Sequence, residues 1–309
     1  MKKAEQIHSS LTNRKKTAGE WVAHVVFALC ASFTILAVAS ITIYLVGNGT
    51  PALSQVGIKE ILFGTSWKPA AAEPQFGIFY VILTSLVGTA MAILLGVPIG
   101  ILTGVFLAEV APKKIAAMVK PAVELLAGIP SVIYGLLGVM ILNPMMYRLE
   151  LVLFKDSDTH QFTGGANLLS AVLVLAIMIL PTVINMSETA LKAVDPKLKS
   201  ASMALGASHM ETIFKVLLPA AKSGILAGVV LGIGRALGEA MAITLVSGSS
   251  VNLPLPFNSV RFLTTAIVSE MGYAGDLHRQ VLFTIGLILF VFIMLINIVL
   301  EKVIRRDGR

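Results

Sequence analysis

The chain has 309 residues, of which 56% are hydrophobic and only 13% charged, and its mean hydropathy is +0.86. A water-soluble domain of this size carries about twice that charged fraction, so the composition points to an all-α polytopic membrane protein. A formal charge of +7 would suggest a nucleic-acid partner in a soluble chain. Here basic residues collecting beside membrane spans explain it better, and no nucleic acid is expected.

Residues 1–20 are polar and basic, a cytoplasmic tail with Lys2, Lys3, Arg14, Lys15 and Lys16. Residues 21–46 form a first apolar run of about 39 Å as a helix, too long for a secretory signal and read as an uncleaved span. Residues 47–77 follow as a periplasmic loop, and the rest of the membrane core is assigned to 78–303. Within that core the predicted spans are 78–107, 121–142, 167–190 (interrupted at Pro181), 223–246 and 280–303. Polar links lie between them, and a tail at 304–309 closes the chain. Six spans result. The side bearing both termini carries 17 Lys and Arg against 6 on the other, with Arg235 inside a span. That bias places both termini in the cytoplasm.

Cys30 is the only cysteine and the five histidines are scattered, so neither a disulfide nor a metal site is expected. No cofactor is expected on this chain. No nucleophile-elbow, zinc-protease or Walker A pattern is present, so the chain is not read as an enzyme.

Two stretches carry functional signals. Arg235 and Glu239 lie four residues apart inside an apolar run, a spacing that shares one helix face. Charge within a membrane marks a pathway by default, with a purely structural ion pair as the alternative. Gly224, Gly228, Gly232, Gly234 and Gly238 surround the pair and predict close helix packing. GIGRALG lacks both the spacing and the preceding strand of a dinucleotide loop. The second stretch is 191–222, where apolar residues at helical spacing on either side of Gly206 predict two short helices. Asp195 serves as N-cap and Pro196 as first helical residue. The pair suits docking against a soluble partner, or alternatively lying on the lipid surface.

Ser200-Ala201-Ser202, Gly206, Val216, Leu218 and Pro219 resemble the E-A-A-x3-G-x9-I-x-L-P signature of ABC-importer permeases, with Ser200 replacing the usual glutamate. ELLAGIPSVIYGLLG (124–138), GIGRALGEAMAIT (232–244) and FGTSWKP (63–69) are similar to phosphate-specific permeases of the PstC type, over about residues 60–303. The resemblance implies a type I ABC importer permease in the bacterial inner membrane that forms half of a phosphate pathway. It implies that 191–222 couples the chain to the ATPase and that Arg235 and Glu239 serve transport. The implied partners are a PstA-type permease, a PstB-type ATPase dimer holding ATP and magnesium, a PstS-type periplasmic phosphate-binding protein, and membrane lipid. A permease for molybdate or sulfate, and less readily a stand-alone secondary transporter, are the alternatives.

Overall fold

The computed structural model describes residues 18–307. Residues 1–17 of the expected N-terminal tail and the last two of the C-terminal tail lie outside the described residues. Among the described residues six helical runs are long and apolar enough to cross a membrane.

Helix α1 (Ala18–Ala52) outruns the predicted span and, through a π-turn, leads into α2 (Ile58–Phe63), so helix occupies most of the expected loop at 47–77. A two-residue hairpin, β1 (Trp67–Lys68) with β2 (Gln75–Phe76), completes that connection. Helix α3 (Phe79–Val105) ends in a π-turn at Phe106–Val110.

The third span lies elsewhere than the apolar pattern suggests. Helix α4 (Lys113–Gly128) stops, Ile129 and Pro130 are extended, and α5 (Ser131–Leu137) runs through a π-turn into α6 (Asn143–Leu153). The membrane-length run is therefore Ser131–Leu153, not 121–142. Proline explains the break: it has no N–H to continue the ladder and drives the preceding residue out of the helical region. Pro181 behaves oppositely. It is buried within the unbroken helix α7 (Leu168–Lys192), as neighbouring helices in a membrane protein permit.

The connection after α7 folds as α8 (Pro196–Ala204) and α9 (His209–Thr212), then a π-turn into α10 (Leu218–Gly238). The fifth span also breaks early: Glu239 is extended and α11 (Met241–Val246) starts afresh. Helix α12 (Leu263–Glu270) and the final α13 (Asp276–Asp307) complete the chain.

Helix α7 is the centre of the molecule. Two helices approach it through residues without side chains. On α3, Cβ atoms at Gly96, Gly100 and Gly104 would fall 2.7, 2.8 and 2.7 Å from Ile179, Val183 and Ser187. On α10, the same construction at Gly224 and Gly228 meets Ala190 and Met186 at 2.6 and 2.5 Å. Backbones this close gain dispersion contacts where lipid offers no hydrophobic drive for helix association. By contrast α1 is attached mainly to α13, where the Thr284 hydroxyl donates to the Gly49 carbonyl at 2.7 Å and Tyr44 meets Phe283 edge-on. The long apolar side chains from Trp21 to Val46 are largely exposed, as a lipid-facing helix requires.

Candidate functional site

The break between α4 and α5 and the break between α10 and α11 belong to one region. Tyr134, buried on α5, donates from its hydroxyl to the Leu126 carbonyl at 2.7 Å, which supplies a partner to a carbonyl at the broken end of α4. Helix α5 and the π-turn after it pack directly on α11: Cβ atoms at Gly135 and Gly138 would lie 2.7 Å from Leu245 and 2.5 Å from Val246. Arg235 sits in the last turn of α10, within electrostatic range of Tyr134. Its side chain is exposed on the surface of this chain, whereas its neighbour Ala236 is buried in the central core.

Glu239 does not share a helix face with Arg235, and among the described residues no ion pair joins them. The expected one-turn pairing fails because the helix ends at Gly238. The Glu239 carboxylate instead accepts from the Ala242 N–H at 3.0 Å, and its backbone carbonyl accepts from the Thr264 hydroxyl at 2.6 Å. It thus supplies an acceptor to a donor that the first turn of α11 leaves unpaired. Arg235 is left as a cation on an open face beside two helix breaks, a geometry that suits transient contact with an anion.

The five glycines divide. Gly224, Gly228 and Gly232 face α7, with Gly232 at the looser separation of 3.3 Å from Val183. Gly234 and Gly238 do not join that contact; a Cβ at either meets nothing within 4 Å. They keep the surface around Arg235 low.

The loop of short helices is built by its caps. The Asp195 carboxylate accepts from the Lys197 N–H at 2.9 Å with Pro196 at the first helical position. Gly206, at φ +89, ends α8: its N–H reaches the Met203 carbonyl at 3.0 Å and the next, from Ala207, reaches Ser202 at 3.3 Å. That Schellman arrangement needs a left-handed residue, which glycine adopts without strain. Ser208 then opens α9 in a capping box with Glu211. Ser200 turns its hydroxyl back to the Pro196 carbonyl at 3.2 Å, and Ser202 meets the Thr212 hydroxyl at 2.9 Å. Ala201 and Pro219 are exposed, while Val216 and Leu218 are half-buried near the base of the loop. Leu205, beside the glycine turn, is 90% exposed, and Leu198, Met203, Met210 and Phe214 are exposed around it. Apolar side chains left exposed on an otherwise polar loop make it a candidate docking surface.

Buried carboxylates outside these sites went unremarked in the sequence. Glu270 gathers Trp67, Arg261 and His278, tying the hairpin to α12 and α13. Glu150 accepts from the Thr163 N–H at 3.0 Å and lies 2.9 Å from His160. Their partners stand up to 203 residues away, so no local spacing announces them. Among the described residues no group of three or more His, Cys, Asp or Glu is placed to hold a metal.

The chain is 37% identical over 306 residues to the probable ABC transporter permease YqgH of Bacillus subtilis, covering 96% of this chain and 95% of that one. It is 34% identical to the phosphate transport system permease PstC of Haemophilus influenzae, with 90% and 91% covered. The PstC protein of Mesorhizobium japonicum is 33% identical, over 96% and 94%. In fold, the chain superposes on a bacterial alginate ABC transporter with a TM-score of 0.67 at 17% identity, covering 96% of this chain. It superposes on the inward-facing methionine transporter MetNI with 0.56 at 23%, covering 74%. The family described as the binding-protein-dependent transport system inner membrane component matches residues 96–306, and this chain, a multi-pass membrane permease, belongs to it.

Proposed function

We propose that the chain is a permease subunit of an ATP-driven phosphate importer, supplying one half of the translocation pathway. The observation that carries this reading is Arg235, an exposed cation where two membrane helices break side by side. A charge costly to place in lipid is retained where it can face a polar passage. Because Arg235 lies on the outer surface of this chain, the passage runs between this chain and a second permease. The relatives named as phosphate permeases support the substrate.

Translocation follows from weak, transient attraction. Arg235 offers one positive charge that no carboxylate among the described residues pairs, enough to draw an oxyanion from the binding protein and too little to retain it. Glu239 secures the start of α11 and so the shape of the passage. On the cytoplasmic side, Leu205 and the exposed side chains near it insert into an ATPase subunit. Closure of an ATPase dimer around ATP and magnesium then moves the loop, and α10 moves with it. Both termini lie in the cytoplasm, as the distribution of Lys and Arg supports.

Uptake of radiolabelled phosphate tests this in cells without other phosphate importers, with the second permease, ATPase and binding protein co-expressed. Uptake should be phosphate-selective against excess sulfate and molybdate and should be lost in Arg235→Ala at matched membrane levels. Equal suppression by sulfate or molybdate would reassign the substrate, and full uptake by Arg235→Ala would reject the site.

A further inference from the structure

Helix α8 is the least anchored element of the cytoplasmic loop: it buries no side chain. Its neighbour is held differently. Thr212 of α9 is buried, and the π-turn after it buries Ile213 and Leu217 in an apolar cluster with Val105 and Leu191. Between α8 and α9 stands Gly206, whose left-handed conformation and open surroundings form a natural swivel. One carboxylate opposes that freedom. Glu109, in the π-turn that ends α3, pairs with Lys199 of α8 at 2.5 Å, and the same oxygen lies 4.0 Å from His209 at the start of α9. The Glu109 side chain is only 12% exposed. The Ser202–Thr212 hydroxyl contact is a further side-chain tie from α8.

We propose that Glu109 is a positioning residue for transport: its pairing with Lys199 makes α8 move as one body with α3. From α3 the displacement has a packed route. The glycine seam of Gly96, Gly100 and Gly104 presses α3 on α7, and Gly224 and Gly228 press α7 on α10, whose last turn carries Arg235. Close-packed seams of this kind transmit displacement because they cannot deform by small degrees. A second carboxylate stiffens the same end. Glu188 of α7, buried, takes Lys120 of α4 at 3.4 Å and Lys192 at 2.5 Å. Loss of the Glu109 pair lets α8 pivot on Gly206 while α3 stays still. This proposal rests on the reading of the loop as the ATPase-coupling element.

The test uses the complete complex with its ATPase, second permease and binding protein, and measures ATP hydrolysis with and without loaded binding protein alongside phosphate uptake. In Glu109→Gln and in Lys199→Met, the ratio of stimulated to unstimulated hydrolysis should fall about 2- to 30-fold, the span of coupling energies between linked sites. Uptake should fall with it while the ATPase still co-purifies. The charge swap Glu109→Lys with Lys199→Glu should regain most of that ratio. Singles that stay fully coupled overturn the proposal, as does a swap no better than the singles. Should charge variants fail to assemble, Glu109→Cys with Lys199→Cys on a Cys30→Ser background replaces them. That pair should be uncoupled until a short bifunctional thiol linker joins it; coupling unchanged by the linker overturns the tie. A wild-type complex without binding-protein stimulation instead overturns the permease reading itself, and the tie falls with it.

Discussion

Arg235 and Glu239 act separately at the helix break, and their variants should therefore behave differently. Arg235→Ala removes the exposed cation and should reduce phosphate uptake about 10- to 100-fold, the worth of one hydrogen bond to a charged group, without loss of assembled complex. Glu239→Gln keeps an acceptor oxygen within reach of the Ala242 N–H and should retain most uptake. Glu239→Ala loses that acceptor and should lower stability by about 1 kcal/mol, as cap removal does. Uptake at matched membrane levels and detergent melting curves read both. Equal collapse of uptake in Glu239→Gln would mean that its charge serves the anion directly.

Between elements, the determinants are close approach and buried charge. Gly228→Val must place branches where Met186 already stands at 2.5 Å from the added Cβ. It should destabilise the α7–α10 contact by about 1–3 kcal/mol, seen as a lowered melting temperature of the purified complex. Gly234→Ala meets open space in this chain and should leave the α7–α10 contact intact by the same measure. The Glu270 cluster ties the hairpin to α12 and α13. Glu270→Ala leaves Arg261 and Trp67 facing a vacated site and should cost about 3–5 kcal/mol, the penalty of breaking a buried pair from one side. Protease nicking of the hairpin at 67–76 in spheroplasts would report that loss, and an unchanged cleavage rate would reduce the cluster to incidental contact.

For the whole molecule, two exposed residues report which end faces which compartment. Leu205 is exposed at one end of the chain's surface, and Asn252 lines a polar cavity of about 690 Å³ between the loops around 159–166 and 248–259. On a Cys30→Ser background, and in the chain expressed without its ATPase so that this face stays uncovered, Leu205→Cys should resist a membrane-impermeant maleimide in intact cells and react once the membrane is opened. Asn252→Cys should react in intact cells. The reverse pattern would invert the orientation read from the basic residues. The same architecture explains how α1 can leave most of its side chains to lipid: a long apolar helix partitions into the bilayer by itself, and the Thr284–Gly49 bond with the Tyr44–Phe283 contact keeps it beside α13.

What the amino-acid sequence determined alone follows from properties local in the chain. Membrane class, the number of spans and the cap of the first short helix depend on runs of apolar residues or on a partner two positions away, as Asp195 is from Lys197. Gly224 and Gly228 were legible for the same reason, because a four-residue repeat places them on one face. Only the tertiary structure decided where helices stop inside the membrane and what their ends touch. A run such as 223–246 stays apolar through its break, and the bond from the Thr264 hydroxyl that holds Glu239 out of the helix comes from 25 residues away. The Lys199–Glu109 tie spans 90 residues and the Trp67–Glu270 contact 203. Pairings across such separations arise when packing brings distant segments together, and no periodicity in the chain encodes them.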